Sequence, residues 1–78
     1  MISYDPLWQT MKRKKATTYT LRKNEPKRIG SGTLSRLQVG LSVSTKTIDA
    51  ICSILNCDIY EVIEFIPAQK REKIYKNN

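Results

Sequence analysis

The residues from Gly30 to Gly40, GSGTLSRLQVG, carry recognition chemistry rather than bond-making chemistry. Leu34 and Leu37 are three apart, with Ile29 just upstream, so a single apolar stripe can seat a short helix. Ser31, Gly32, Ser35 and Arg36 are left to look elsewhere. Hydroxyls and the free amides at a helix start can hold phosphate oxygens, and glycine lets the backbone approach a surface closely. A guanidinium can hydrogen-bond two acceptors on one guanine edge. The competing reading is an ordinary solvated helix whose glycines serve only its turns, and these residues alone leave both open.

Bond-making chemistry has little to work with. There is no histidine in the 78 residues, and no glycine-rich loop has the spacing that cradles a nucleotide phosphate. Asp58, Glu61 and Glu64 read as a helix N-terminus with its solvated face rather than as an acid–base pair. No nucleophile stands beside a base, so the chain is not expected to be an enzyme. Cys52 and Cys57, set among isoleucine and leucine, make a poor metal cage without further ligands, and both read as reduced structural residues, at least one of them in the core. No metal, cofactor or small-molecule effector is expected.

Charge says where a partner would sit. The formal net charge is +7, and residues 1–40 hold nine Lys or Arg against Asp5 and Glu25, whereas residues 41–78 hold five of each sign. A basic half attracts phosphate backbones through Coulomb attraction and counterion release, which gives affinity without sequence choice. Positive surfaces also serve solubility alone. No run approaches the roughly 18–20 apolar residues that span a bilayer, and MISYDPLW has neither the basic start nor the apolar run of a signal peptide, so no membrane contact and a cytoplasmic location are expected.

The elements that must position the recognition residues are all helical. Asp5 reads as the cap of a first helix, with Pro6 at its first position, Leu7, Trp8 and Met11 on one face, and Lys12 to Lys15 in its last turn. Thr17 or Thr18 caps a second short helix through Leu21, and Pro26 forces it to end, leaving EPKRIG as an irregular connection that carries Lys27 and Arg28. The third helix holds the recognition residues, and Gly40 stops it. Val43 turns inward, and Ser44 or Thr45 caps a fourth helix whose Ile48, Ile51, Cys52 and Leu55 recur at three and four residues. Asp58 and Glu61 form a capping box for a fifth, on which Ile59, Val62, Ile63 and Ile66 continue the core until Pro67. Tyr60 and Phe65 are apolar area left over for self-association.

Taken together, MISYDPLW, SGTLSRL and STKTIDAICSILNCDIYEVIEFIP resemble the Cro/C1-type (XRE-like) helix-turn-helix proteins, in the compact subgroup of bacterial and mobile-element regulators. The resemblance covers residues 1–67. It implies an all-α, five-helix, lambda-repressor-like domain over 1–67, followed by a short basic tail over 68–78 that is a frayed helix or disordered. It implies that the second and third helices form the helix-turn-helix and that residues 31–38 read the major groove. By matching position, Ser31, Gly32 and Arg36 would face bases, with Ser35 on the same exposed face. Thr33 would approach the phosphate backbone, and Thr18 stands where relatives often carry a phosphate-touching glutamine. Lys46 at the start of the fourth helix would add attraction.

The sequence departs from the family between Leu21 and Ile29, which are eight apart where relatives place about six residues. That connection could tilt the reading helix, deliver Lys27 and Arg28 to phosphates, or mark a fold that has lost specific reading. The implied function is sequence-specific binding of double-stranded DNA as a repressor-like transcriptional regulator, acting as a homodimer on DNA. The rival is a protein-interaction or accessory module of a mobile element that keeps the fold with little DNA reading.

Overall fold

The computed structural model describes residues 1–25 and 27–67. The expected break at Pro26 and the expected tail over 68–78 lie outside them. A two-residue strand β1 (Ile2–Ser3) leads into α1 (Asp5–Arg13), α2 (Thr18–Lys23), α3 (Ser31–Gln38) and α4 (Thr45–Leu55); a single 3-10 turn (Ile59–Glu61) and the strand β2 (Glu64–Phe65) follow. The fold is therefore mostly helical, with four α-helices among the described residues rather than five.

Each helix boundary has a local cause. Thr17 caps α2: its hydroxyl accepts the Thr20 amide while the Thr20 hydroxyl accepts the amide of Thr17. Ser44 caps α4 by accepting from the Thr47 amide. Asp5 does not cap α1. Tyr4 holds the cap position, because its ring is buried in the core and its hydroxyl donates to the Leu41 carbonyl at 2.8 Å, which starts the helix one residue early. Asp5 then occupies the first helical position, Pro6 the second, and Ser3 Oγ accepts the Asp5 amide at 3.1 Å.

Three helices end alike, with one left-handed residue and a six-residue backbone bond across it. Lys15 (φ 58°), Gly40 (φ 82°) and Asn56 (φ 53°) hold those positions. Ala16, Leu41 and Cys57 donate to the carbonyls of Met11, Arg36 and Cys52 at 2.8, 2.8 and 3.1 Å. Gly40 was legible as a stop signal; Lys15 bears the steric cost of its conformation.

The fifth helix is where expectation and structure part. The Asp58–Glu61 capping box is present but launches only one 3-10 turn. Val62, Ile63 and Ile66 are β-branched and disfavour further helix, and β2 pairs antiparallel with β1 in the register Ile2↔Phe65 and Ser3↔Glu64. Backbone bonds of 2.7 Å in both directions between Met1 and Ile66 extend the ribbon, and Pro67 follows without a donor. Val62 reaches the core and Ile63 packs against it, whereas Ile59 and Ile66 are exposed.

Leu7, Leu21, Leu37, Ile51 and Val62 are sealed at the centre, with Tyr4, Met11, Ile29, Leu34, Ile48 and Leu55 around them. Trp8, Val43, Cys52 and Cys57 pack against that cluster, and both cysteines are free thiols. Thr10, also buried, donates from Oγ1 to the Glu61 carbonyl at 2.6 Å, and Arg13 Nη2 meets Glu61 Oε1 at 2.7 Å, so α1 is stitched to the 3-10 turn. Among the described residues no helix is long and apolar enough to cross a membrane, and no group of three or more metal-ligating side chains comes together.

Candidate nucleic-acid interface

The candidate interface is built on α3. Leu34 and Leu37 are buried and fix the rotation of the helix, so Ser31, Gly32, Ser35 and Arg36 are all exposed on its outer side. No side chain caps its N-terminus, where Gly30 holds the cap position in an extended conformation (φ −67°, ψ 157°). The first-turn amides of α3 are thus without a capping side-chain acceptor, unlike those of α2 and α4.

Gly32 is helical, and a Cβ built there would meet nothing within 4 Å; the same holds at Gly30. Neither glycine is demanded by the packing of the chain itself.

Arg36 is exposed, but it is not a free arm. Its Nε donates to the Ser42 carbonyl at 2.9 Å, which docks the base of the guanidinium on the loop between α3 and α4 and leaves the two terminal nitrogens as the fork available to a ligand. This contact was not legible in the sequence.

Four of the five residues expected at phosphates line one cleft. Lys27, Arg28, Thr33 and Lys46 surround a cavity of about 310 Å³ between the α2–α3 connection, α3 and the start of α4, together with Ser44, Thr47 and Asp49. Thr33 is half-buried there, which sets it apart from the four exposed residues of α3. Thr18 lies elsewhere, half-buried as the first residue of α2. Lys27 is partly engaged already, with Nζ 3.4 Å from both Asp49 Oδ2 and Ser53 Oγ of α4. Arg28 pairs with Glu25 at 3.4 Å, both exposed.

The connection itself is closed by the chain. The Ile29 amide donates to the Leu21 carbonyl at 2.8 Å, and both side chains are buried, so the core contacts at the two ends of the longer spacing are kept.

Val39 is the residue that sequence reasoning passed over. It caps the C-terminus of α3 and is 69% exposed. Seven residues after Gly32, it falls on the same side of the helix, where an apolar group can meet a thymine methyl. That spacing was the available signal. The cations Arg22 and Lys23, in the last turn of α2, also flank the start of α3.

The description of a Cro/C1-type helix-turn-helix DNA-binding domain matches residues 6–68 of the chain. No curated protein sequence matches it. Among solved structures, the fold is similar to a crystal structure of the transcriptional regulator VanUg, with a TM-score of 0.74 and 30% identity, covering 86% of this chain and 87% of that one.

Proposed function

The chain belongs to the Cro/C1-type helix-turn-helix DNA-binding family, and on that premise we propose that it reads a two-fold operator in double-stranded DNA as a homodimeric, repressor-like transcriptional regulator. The observation that carries this reading is the outer side of α3: small polar residues and one arginine on a helix whose rotation Leu34 and Leu37 fix. Its similarity to a protein described as a transcriptional regulator supports the regulatory role.

The mechanism is noncatalytic and fits a cytoplasmic protein. Arg28, Lys46, Lys27 and Thr33 supply phosphate contacts from their shared cleft, with Thr18 at the start of α2, and these give salt-sensitive affinity. Ser31, Gly32, Ser35 and Arg36 discriminate between bases, with Arg36 presenting its terminal nitrogens to a guanine edge. One such contact gives about 1–3 kcal/mol of base preference, too little to choose a site in a genome, and two copies on half-sites about 34 Å apart double it.

The test is selection from a random duplex library at near-physiological salt. Enrichment of a two-fold motif that Arg36→Ala abolishes supports the reading. Binding that enriches no motif and vanishes steeply with salt defeats it and favours the protein-interaction module instead. A specific observation speaks for that second reading: Ile59, Tyr60 and Phe65 are exposed at 56, 71 and 61%.

A further inference from the structure

The longer connection between α2 and α3 borders a second cationic cleft, which shares Arg28, Ile29 and Gly30 with the one that holds Thr33 and Lys46 and adds Arg22, Lys23 and Ser31. It has a volume of about 230 Å³ and is lined by Arg22 and Lys23 from the end of α2, Arg28 and Ile29 from the connection, and Gly30 and Ser31 at the start of α3. No carboxylate among the described residues lines it, in contrast to the larger cleft, where Asp49 faces Lys27.

We propose that this cleft binds a backbone phosphodiester of the DNA strand whose bases α3 meets. The inference rests on the function proposed above and adds Arg22 and Lys23 to the phosphate contacts, residues that the family resemblance did not assign. Three observations point to it. First, three cations line one small polar concavity, and their combined positive potential favours an anion there. Second, the cations are available. The Arg28–Glu25 pair is long, at 3.4 Å, and exposed on both sides, so it competes poorly with a phosphate, while Lys23 Nζ lies 5.7 Å from the centre of the exposed Tyr19 ring, which steadies it without neutralising it. Third, Ser31 belongs both to the cleft and to the exposed side of α3, so a strand that meets Ser31 passes the mouth of the cleft.

The connection explains why the site is here. With the Ile29 amide locked to the Leu21 carbonyl, Arg22, Lys23 and Arg28 are exposed, and Arg28 lies beside the cations of α2. A free inorganic anion offers the same chemistry as a phosphodiester, and the experiment separates the two.

The experiment measures duplex affinity against salt for the wild type, for Arg22→Gln combined with Lys23→Gln, which line this cleft and not the other, and for Lys12→Gln combined with Lys14→Gln, which removes the same charge at the end of α1. All four side chains are exposed, and circular dichroism checks that the variants fold. The expected result is that the cleft variant binds about tenfold more weakly to motif and scrambled duplexes alike and that its log–log salt slope is shallower by about 0.9 for each phosphate no longer neutralised, with the selected motif unchanged. A slope change no larger than that of the α1 variant overturns the proposal, as does a change in the motif, which would mean that the cleft reads bases. Inorganic phosphate titrated into the free protein at constant ionic strength is followed by amide NMR. Saturable shifts at Gly30 and Ser31, with the duplex salt slope unaffected by the cleft substitutions, assign the cleft to a small anion and overturn the DNA assignment. If the wild type binds no duplex at all, the function proposed above fails first; if it enriches a motif while the slopes stay equal, only the cleft fails.

Discussion

At Gly32 the interests of the fold and of the proposed interface diverge. In a helix interior glycine is about 1 kcal/mol less favourable than alanine, and here nothing within 4 Å of a built Cβ asks for its absence. Gly32 stands in the first turn of α3 rather than its interior, so Gly32→Ala is expected to stabilise the free protein by only up to about 0.5 kcal/mol while weakening duplex binding, because the missing Cβ is what lets the α3 backbone approach the groove. Thermal denaturation and duplex titration of the same variant check both signs, and a stabilised variant with unchanged affinity would return Gly32 to a solvated helix face. The cysteines make a second prediction at this scale. Burial pushes both thiols above their ordinary range; the neighbouring Cys52 adds to the rise at Cys57, whereas the hydrogen bond with Cys57 partly offsets the rise at Cys52. The unfolded chain thus loses these protons at a lower pH than the folded one. The thiols' contribution to stability is complete below the unfolded value of about 8.5 and is lost as pH rises through the raised folded values. A disulfide reagent at pH 7.5 should modify the native protein more slowly than the denatured chain, and the native rate should climb steeply above pH 9; equal rates at pH 7.5 would contradict the burial.

Among the elements, α1 is held to the C-terminal turn by a single buried hydroxyl and an ion pair at the surface, besides the apolar core that Leu7, Met11 and Val62 share. Thr10→Val keeps the shape but leaves the Glu61 carbonyl without its 2.6 Å donor, at an expected cost of about 1–3 kcal/mol in chemical denaturation. Arg13→Ala, which removes the exposed partner of Glu61, should cost less than about 1 kcal/mol. Which elements were legible follows from the range of the forces that set them. Caps and apolar periods act within a few residues, so α3 over residues 31–38, the Ser44 cap and the Ile48–Ile51–Leu55 stripe could be read from the sequence. The β1–β2 ribbon could not be. Two-residue strands carry no period, and Ile2 meets Phe65 across nearly the whole chain, so a local reading of β-branched residues after a capping box predicted a helix instead. The same limit applies at the interface. The exposed residues of α3 followed from its stripe, whereas the Arg36–Ser42 bond and the second cationic cleft depend on how the connections fold back on the helices.

For the molecule as a whole, charge and apolar exposure divide the labour between DNA and a second copy. All of the net charge falls in residues 1–40, whereas Ile59, Tyr60 and Phe65, exposed by more than half, come from the half in which the signs balance. Two copies bound to one operator would repel each other through their basic surfaces, so a contact between them is expected where that charge is absent. The Tyr60 and Phe65 side chains meet that condition, and neither belongs to the core, so replacing them tests association without removing core packing. Tyr60→Ser combined with Phe65→Ser is expected to leave the helical circular dichroism unchanged and to convert the selected DNA motif from a two-fold site to a single half-site, with a loss of cooperativity in duplex titration. One arginine contact then bears the discrimination alone, which by the arithmetic of about 1–3 kcal/mol per bidentate pair leaves a site about 5- to 150-fold less selective. If the variant still enriches the full two-fold motif with the same steepness of binding, the copies associate through another surface, and these aromatics are free to meet a different protein.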